Sequence, residues 1–262
     1  MAVVVNNLSF AYGRETVLRD VSFQAPAGKL TALLGRNGSG KSTLLKLLAG
    51  ILTCPRGRIE LMEQDLSVLT GAARARLVGY LPQFHQAVFS FTVEDVVLTG
   101  RAAYVTTMPA SRDRDAADSA IRMVGIEHLR RRPYTELSGG ERQLVMIARV
   151  LAQQPRIILL DEPLSHLDLF NQARLIGLLK RLTEAGMTVL AVLHDPNPAL
   201  LFGDCIVCLR DGQVALPPAG GAPWDSVFLS EVYGLNLETV PYRGKALIAP
   251  VESEGGKQNG NA

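Results

Sequence analysis

The octapeptide Gly35-Arg36-Asn37-Gly38-Ser39-Gly40-Lys41-Ser42 has the form Gly-x4-Gly-Lys-Ser and lies between a strand-like run, LTALL, and a helical run, STLLKLLAG. This order commits the chain to an α/β unit. Glycines in a strand-to-helix turn let backbone N–H groups point inward, and the helix that follows aims its positive end at the same place. Phosphate oxygens are what such a cradle takes. Lys41 adds a full charge: two unit charges ~4 Å apart at an effective dielectric near 20 attract by roughly 4 kcal/mol before desolvation, against about 0.3 to 2 kcal/mol for a helix terminus. Lys41 is therefore expected to dominate the β/γ-phosphate contact, with residues 35–43, Thr43 included, binding a nucleotide. The Ser42 hydroxyl suits Mg²⁺, which prefers oxygen ligands.

Apolar runs recur along the rest of the chain: Val3 to Phe10, Lys29 to Leu34, Arg58 to Leu61, Val78 to Leu81, Ile157 to Leu160, Thr188 to Leu193 and Ile206 to Leu209. Several are continuous in apolar residues, as in parallel strands buried on both faces, and helical periods separate them. Together they predict an α/β fold with a β-rich N-terminal part. A helix is predicted after Ser138, where Leu144, Ile147, Ala148 and Leu151 share a face. Another is predicted from about Asn171, where Leu175, Leu178, Leu179 and Leu182 repeat the spacing before Gly186 ends it.

Between Gln83 and Leu137 the strand signals nearly vanish, and Thr92 with Asp95 has the form of a helix cap. Residues 84–152 thus read as a helical subdomain inserted in a domain spanning 1–252. The closing stretch 253–262 is polar and aperiodic, and is expected to be disordered.

The run RIILLDEP puts Asp161 and Glu162 at the carboxyl end of a buried strand, where open α/β sheets gather their ligands. Adjacent carboxylates there suit two tasks: Asp161 holding Mg²⁺ through water, and Glu162 orienting and polarising an attacking water. Leu137-Ser138-Gly139-Gly140-Glu141 is a capping box for the helix after it. Its glycines also expose N–H groups to an anion. Because the chain already holds one complete cradle, a second implies a second nucleotide contact.

These motifs, in this order over almost the whole length, resemble the ABC-type ATPases. The resemblance implies a P-loop NTPase core carrying the helical subdomain, ATP and Mg²⁺ as cofactors, and a homodimer. In it Ser138, Gly139 and Gly140 contact the γ-phosphate of ATP held by the other copy. By position, Tyr12 is similar to the aromatic that stacks on adenine, and Gln83 in YLPQ to the glutamine that links Mg²⁺ to the transmembrane partner. Ser165-His166-Leu167-Asp168 resembles the loop that crosses the dimer, and His194 in LHD the switch histidine. The implied catalytic set is Glu162, His194, Gln83 and Lys41; the metal set is Ser42, Gln83 and Asp161; Asp168 joins the contacts made to the other copy's nucleotide. Leu164 stands where many relatives carry threonine, and Arg36 where many carry proline. Neither departure removes a chemical group assigned here.

SFTVEDVVLTGRAAY, SHLD and SEVYGLNLE resemble the ATPases of binding-protein-dependent importers for iron-siderophores, haem and cobalamin. ALPPAGGAP departs from the glycine-containing turn usual there. The resemblance implies permease subunits as partners and, through them, a periplasmic or other extracytoplasmic binding protein. Related subunits serve molybdate, zinc or manganese. ABC ATPases acting on DNA or ribosomes usually carry coiled-coil inserts or two cassettes; this chain has one phosphate loop, one LSGGE and no heptad repeat.

A net charge of +2 with 20% charged residues provides no field for nucleic acid or strong lipid binding. The longest apolar runs fall far short of the roughly 20 residues of a spanning helix. The start, MAVVVNNLSF, lacks a signal-peptide pattern. The subunit is thus expected to be peripheral, on the cytoplasmic face of the cell's inner membrane. Cys54, Cys205 and Cys208 are too few for a disulfide framework. Cys205 and Cys208 fall in a strand-like run whose period puts them on opposite faces, the wrong geometry for one metal ion.

Overall fold

A computed structural model describes residues 1–83, 91–165, 167–218 and 221–251. The chain opens with two long strands, β1 (Val3–Tyr12) and β2 (Glu15–Ala25), then β3 (Leu30–Leu34) and helix α1 (Lys41–Leu48). β4 (Arg56–Leu61), β5 (Gln64–Asp65), α2 (Gly71–Leu77) and β6 (Val78–Leu81) follow. The next helices are α3 (Val93–Leu98), α4 (Ser111–Val124) and α5 (Gly139–Ala152). Strands and helices then alternate: β7 (Ile157–Asp161), α6 (Leu169–Glu184), β8 (Thr188–Val192), α7 (Pro196–Phe202), β9 (Cys205–Arg210) and β10 (Gln213–Ala215). The described part ends with α8 (Ser226–Tyr233) and a hairpin of β11 (Leu237–Tyr242) and β12 (Lys245–Pro250).

The strands form an antiparallel sheet in the order β2-β1-β4-β5 and a six-stranded sheet in the order β10-β9-β3-β8-β7-β6. From β9 to β6 the second sheet is parallel throughout, so its carboxyl ends share one edge. Successive residues of a strand face opposite ways, and here the two faces feed two cores. Leu33, Ile157, Leu159, Leu190 and Val192 join α1 and the antiparallel sheet; Ala32, Leu34, Ile158, Leu160, Val189 and Ala191 join the other helices. Burial on both faces explains why β3, β7 and β8 are continuous apolar runs. Leu44, Leu45, Leu47 and Leu48 of α1 are fully buried, each contributing about 2 kcal/mol relative to exposure.

Among the described residues of 91–152 there are only helical elements and one isolated bridge, Thr92 to Pro133, matching the expected helical stretch. Thr92 and Asp95 form a reciprocal capping box. A buried ion pair, Arg101 to Asp113 at 3.1 Å, ties α4 to the end of α5, where Arg101 also donates to the Ala152 carbonyl. Residues 84–90 and the closing stretch 252–262 lie outside the described residues, so the predicted insert start and tail disorder fall there.

Three expectations shift. β2 is a strand without a continuous apolar run: its 11 residues bury only Leu18, Val21 and Ala25, and bulges against β1 break its alternation. The helix predicted from about Asn171 starts at Leu169, because Asp168 caps it by accepting from the Asn171 N–H at 2.7 Å. The C-terminal hairpin is a further addition: its apolar run is only four residues long, Ala246 to Ala249, and among the hairpin's residues only Ile248 is buried. Cys205 and Cys208 both lie on β9, and burial pushes the Cys208 thiol up to about 12, leaving it inert. Among the described residues no helix is long and apolar enough to cross a membrane, and no group of His, Cys, Asp and Glu is arranged to hold a metal by itself.

Candidate functional site

β3 ends against its neighbour so closely that only glycine can follow. Gly35 has φ +142°, and a Cβ there would lie 2.1 Å from the Leu209 carbonyl oxygen of β9. At the far end of the loop Gly40, with φ +99°, would drive a Cβ to 2.6 Å from Leu18 of β2. The backbone is thus pressed between the two sheets, and its loop folds over the start of α1. Lys41 is 5% exposed and donates to the carbonyls of Gly35 at 2.7 Å and Arg36 at 2.8 Å. Burial lowers its pKa, while Glu162 and Asp161 oppose that shift. Ser39 Oγ is buried with no hydrogen-bond partner among the described residues.

Asp161 ends β7 beside α1, where its Oδ1 accepts from Ser42 Oγ at 2.9 Å. Burial raises its pKa, with Glu162 adding to the shift and the Ser42 bond opposing it. Tyr80 of β6 donates to Asp161 Oδ2 at 3.4 Å; burial, then the Asp161 charge, push the phenol up and keep it protonated. Hydroxyl and carboxylate donors facing each other fit the all-oxygen preference of Mg²⁺. A cation would also relieve the cost of holding Asp161 ionised in this buried place.

Glu162 turns out of β7 with φ +53°, a left-handed conformation that costs a non-glycine residue about 1–3 kcal/mol and gathers at functional sites. Its carboxylate is held on three sides. Gln83 Nε2 donates to Oε2 at 2.5 Å, Ser165 Oγ donates to Oε2 at 3.2 Å, and His194 Nε2 meets Oε1 at 2.5 Å. These partners come together because β6, β7 and β8 are neighbours running the same way. Gln83, Glu162 and His194 line a cleft of about 450 Å³ with Asn37, Lys41 and Ser42. The fold thus brings Asn37, Gly38, Gly40, Lys41, Ser42, Thr43, Gln83, Glu162 and His194 into one lining; Asp161 stands behind it, bonded to Ser42, while Gly35, Arg36, Ser39, Tyr12, the Ser138 group and Asp168 do not line it. Tyr12 stands exposed at the end of β1, its ring edge-on to Phe10 at 4.9 Å, outside that lining.

Ser138, Gly139 and Asp168 are exposed and line no part of the cleft. Ser138 accepts from the Glu141 N–H and Glu141 accepts from the Ser138 N–H, closing the predicted box. A Cβ at Gly140 would touch Asn171 at 3.1 Å, so the start of α5 abuts the start of α6 and Asp168 stands near it. Leu169 and Phe170 beside it are 84% and 74% exposed. His166 of the same loop lies outside the described residues.

Sequence reasoning missed Val17, Gln143 and Gln172. Val17 of β2 lines the cleft. Gln143 of α5 donates to the Pro163 carbonyl, and Gln172 of α6 to those of Leu164 and Leu167, fixing the turn after Glu162. No residue pattern marks them, because what they contact is backbone carbonyl or open cleft rather than a paired side chain.

A glycine loop that folds a buried lysine over a helix start, facing paired carboxylates at a strand end, defines a P-loop nucleoside-triphosphatase. The ABC transporter family profile matches residues 18–165. A hemin import ATP-binding protein of Pseudomonas putida is 39% identical over 93% of this chain and 98% of its own. A solved metal-chelate type ABC transporter in an inward-facing conformation has a TM-score of 0.82 at 33% identity, over 95% of this chain and 97% of its own. An ATP-binding cassette solved as a dimer with ADP and phosphate has a TM-score of 0.72 at 31% identity, over 82% of this chain and 97% of its own. The chain belongs to the ABC transporter ATP-binding family and is an ATP hydrolase of that family.

Proposed function

We propose that two copies of this chain pair head to tail around two ATP molecules and power the import of an iron chelate such as a siderophore complex, haem or a cobalamin-type compound. One observation carries the pairing: Ser138, Gly139 and Asp168 are exposed at the abutting starts of α5 and α6 and do not line the chain's own cleft. Such a face serves ATP only when it belongs to another copy. Exposed Leu169 and Phe170 beside it supply apolar surface for that contact.

In this arrangement Lys41 and the N–H groups of residues 35–43 hold the β- and γ-phosphates, and Tyr12 stacks on adenine. Ser42 and Asp161, with Gln83, would hold Mg²⁺, which when bound neutralises charge on the phosphate oxygens. Glu162 orients and polarises a water for attack on the γ-phosphorus, with His194 against both the carboxylate and the γ-phosphate. The β–γ bond breaks to ADP and phosphate. The interface then loosens, because the group held by both copies has been cut free.

The opening motion needs a receiver. A groove of about 450 Å³ runs between Ile51, Arg74 and Tyr80 on one side and Gly100, Ala103 and Arg149 of the helical subdomain (84–152) on the other. We place a permease segment in it, at the cytoplasmic face of the membrane. Its occupant would feel the two parts move, and Tyr80 joins the groove to Asp161. A binding protein would reach the ATPase only through that permease. The substrate class rests on the relatives, one a hemin import ATP-binding protein and one a metal-chelate type transporter.

Glu162→Gln is expected to bind ATP as before, to turn over on the order of 10²-fold more slowly, and to dimerise only with Mg-ATP. Wild-type turnover, or a monomer by light scattering at saturating Mg-ATP, would overturn the reading. Purification of the tagged chain from native membranes tests the partner: an iron-chelate permease should accompany it.

A further inference from the structure

The segment after β10 is not part of the cleft, yet it holds the histidine of the cleft from behind. Tyr233, the last residue of α8, donates its hydroxyl to the His194 backbone carbonyl at 3.1 Å. The backbone amide of Gly35, first residue of the phosphate loop, lies against the same phenol. Burial foremost, then the nearby Cys208 and Asp195, push the phenol up, so it remains a donor.

Two further contacts join the same parts. Gly234, which ends α8 with φ +67°, has the Arg36 side chain over it: a Cβ there would lie 2.7 Å from Arg36 Nη1. Three residues past His194, Asn197 exchanges a reciprocal amide pair with Ile248 of β12. It donates to the Ile248 carbonyl at 3.1 Å and accepts from the Ile248 N–H at 2.8 Å. The short stretch 194–197 is therefore tethered to the C-terminal segment at both ends. His194 itself is exposed on its other side and meets Glu162 through Nε2.

We infer that Tyr233 is a positioning residue for ATP hydrolysis: its hydroxyl sets the height of the His194 backbone against the phosphate loop, so that the C-terminal segment (226–250) tunes the switch histidine. The inference rests on the role given above to His194 and Glu162. It explains why β12, in a hairpin with a single buried side chain, exchanges a reciprocal amide pair with Asn197, three residues past that histidine. A clamp of this kind also gives a partner protein bound to the C-terminal segment a route to the rate of hydrolysis.

The test is steady-state ATPase with the full chain, comparing wild type, Tyr233→Phe, His194→Ala and the double variant. Loss of one hydrogen bond that orients a catalytic group is expected to lower kcat about five- to tenfold in Tyr233→Phe. KM for ATP and the thermal midpoint should stay close to wild type, a split that a merely structural tyrosine would not produce. His194→Ala should lose more, and adding Tyr233→Phe to it should lose little further, since the hydroxyl's effect on turnover runs chiefly through the histidine. Asn197→Leu cuts the second tether and should lower kcat in the same direction. Wild-type kcat in both Tyr233→Phe and Asn197→Leu, or a Tyr233→Phe loss that persists on the His194→Ala background, overturns the inference while leaving the site reading intact. Wild-type turnover by His194→Ala instead overturns the site reading, and this inference with it.

Discussion

The loop at 35–43 and the segment at 138–140 both open a helix with glycines, but their surroundings are opposite. In the first, Gly35, Ser39, Lys41 and Thr43 are buried, the backbone is pinned between β9 and β2, and Lys41 is hydrogen-bonded to its own loop. In the second, Ser138 and Gly139 are exposed, and a capping box satisfies the helix start without help from the rest of the fold. A cradle built by tertiary contacts is complete within one chain. A cradle built by a local cap, left on the surface, has work to do only against something outside the chain.

The largest expected effect lies in the buried cradle. Lys41→Ala removes a charge estimated at roughly 4 kcal/mol against the phosphates, so nucleotide affinity should fall about 10²- to 10³-fold by calorimetry. Retained affinity would mean that the N–H groups alone hold the phosphates, and the contrast drawn above would fail.

The exposed cradle allows a sharper test. Asp caps a helix as well as Ser, so Ser138→Asp should leave the thermal midpoint almost unchanged. It also brings a negative charge to a partner's γ-phosphate, so turnover and ATP-dependent dimerisation should drop at least tenfold. Unchanged turnover would reduce Ser138 to a cap. Mixing Lys41→Ala with Ser138→Asp should restore one intact site per dimer and part of the activity.

The smallest effect is in the titration of the two regions, which run in opposite senses. The Ala110 N–H and Arg101 hold the Asp113 carboxyl below its usual range, and the Ser138 N–H does the same for Glu141. A carboxyl with a depressed folded pKa adds stability that is present above its unfolded value, about 4, and is lost as pH falls through the folded value. Asp161 is raised by burial, so protonating it relieves the fold instead. On acidification below about pH 4, hydrogen exchange in α4 and α5 should accelerate before exchange in β3 and β7. The reverse order would contradict the shifts.

Much of the candidate site was legible locally. Gly35 to Ser42, the Asp161-Glu162 pair and LSGGE are each contiguous, so their spacing carries their geometry, and β3, β7 and β8 announce themselves because both faces are buried. β2 was illegible since only Leu18, Val21 and Ala25 reach the core. The hairpin of β11 and β12 was hard to read since β11 is exposed almost throughout and the apolar run of β12, Ala246 to Ala249, is only four residues long. Gln143, Gln172 and Tyr233 were illegible for another reason: each acts on backbone carbonyls outside its own helix, and a hydrogen bond to a carbonyl leaves no trace in residue type.

The sequence by itself determined the local devices, namely a glycine turn that admits phosphate, a carboxylate pair at a strand end, and capped helices, because each needs only neighbours along the chain. Tertiary structure alone decided their company. Parallel pairing of β6, β7 and β8 brings Gln83, Glu162 and His194 within hydrogen-bonding distance, while the abutment of α5 and α6 keeps Ser138 on the outside. The order of strands in a sheet is set by packing across the whole core, and no short stretch of residues contains it.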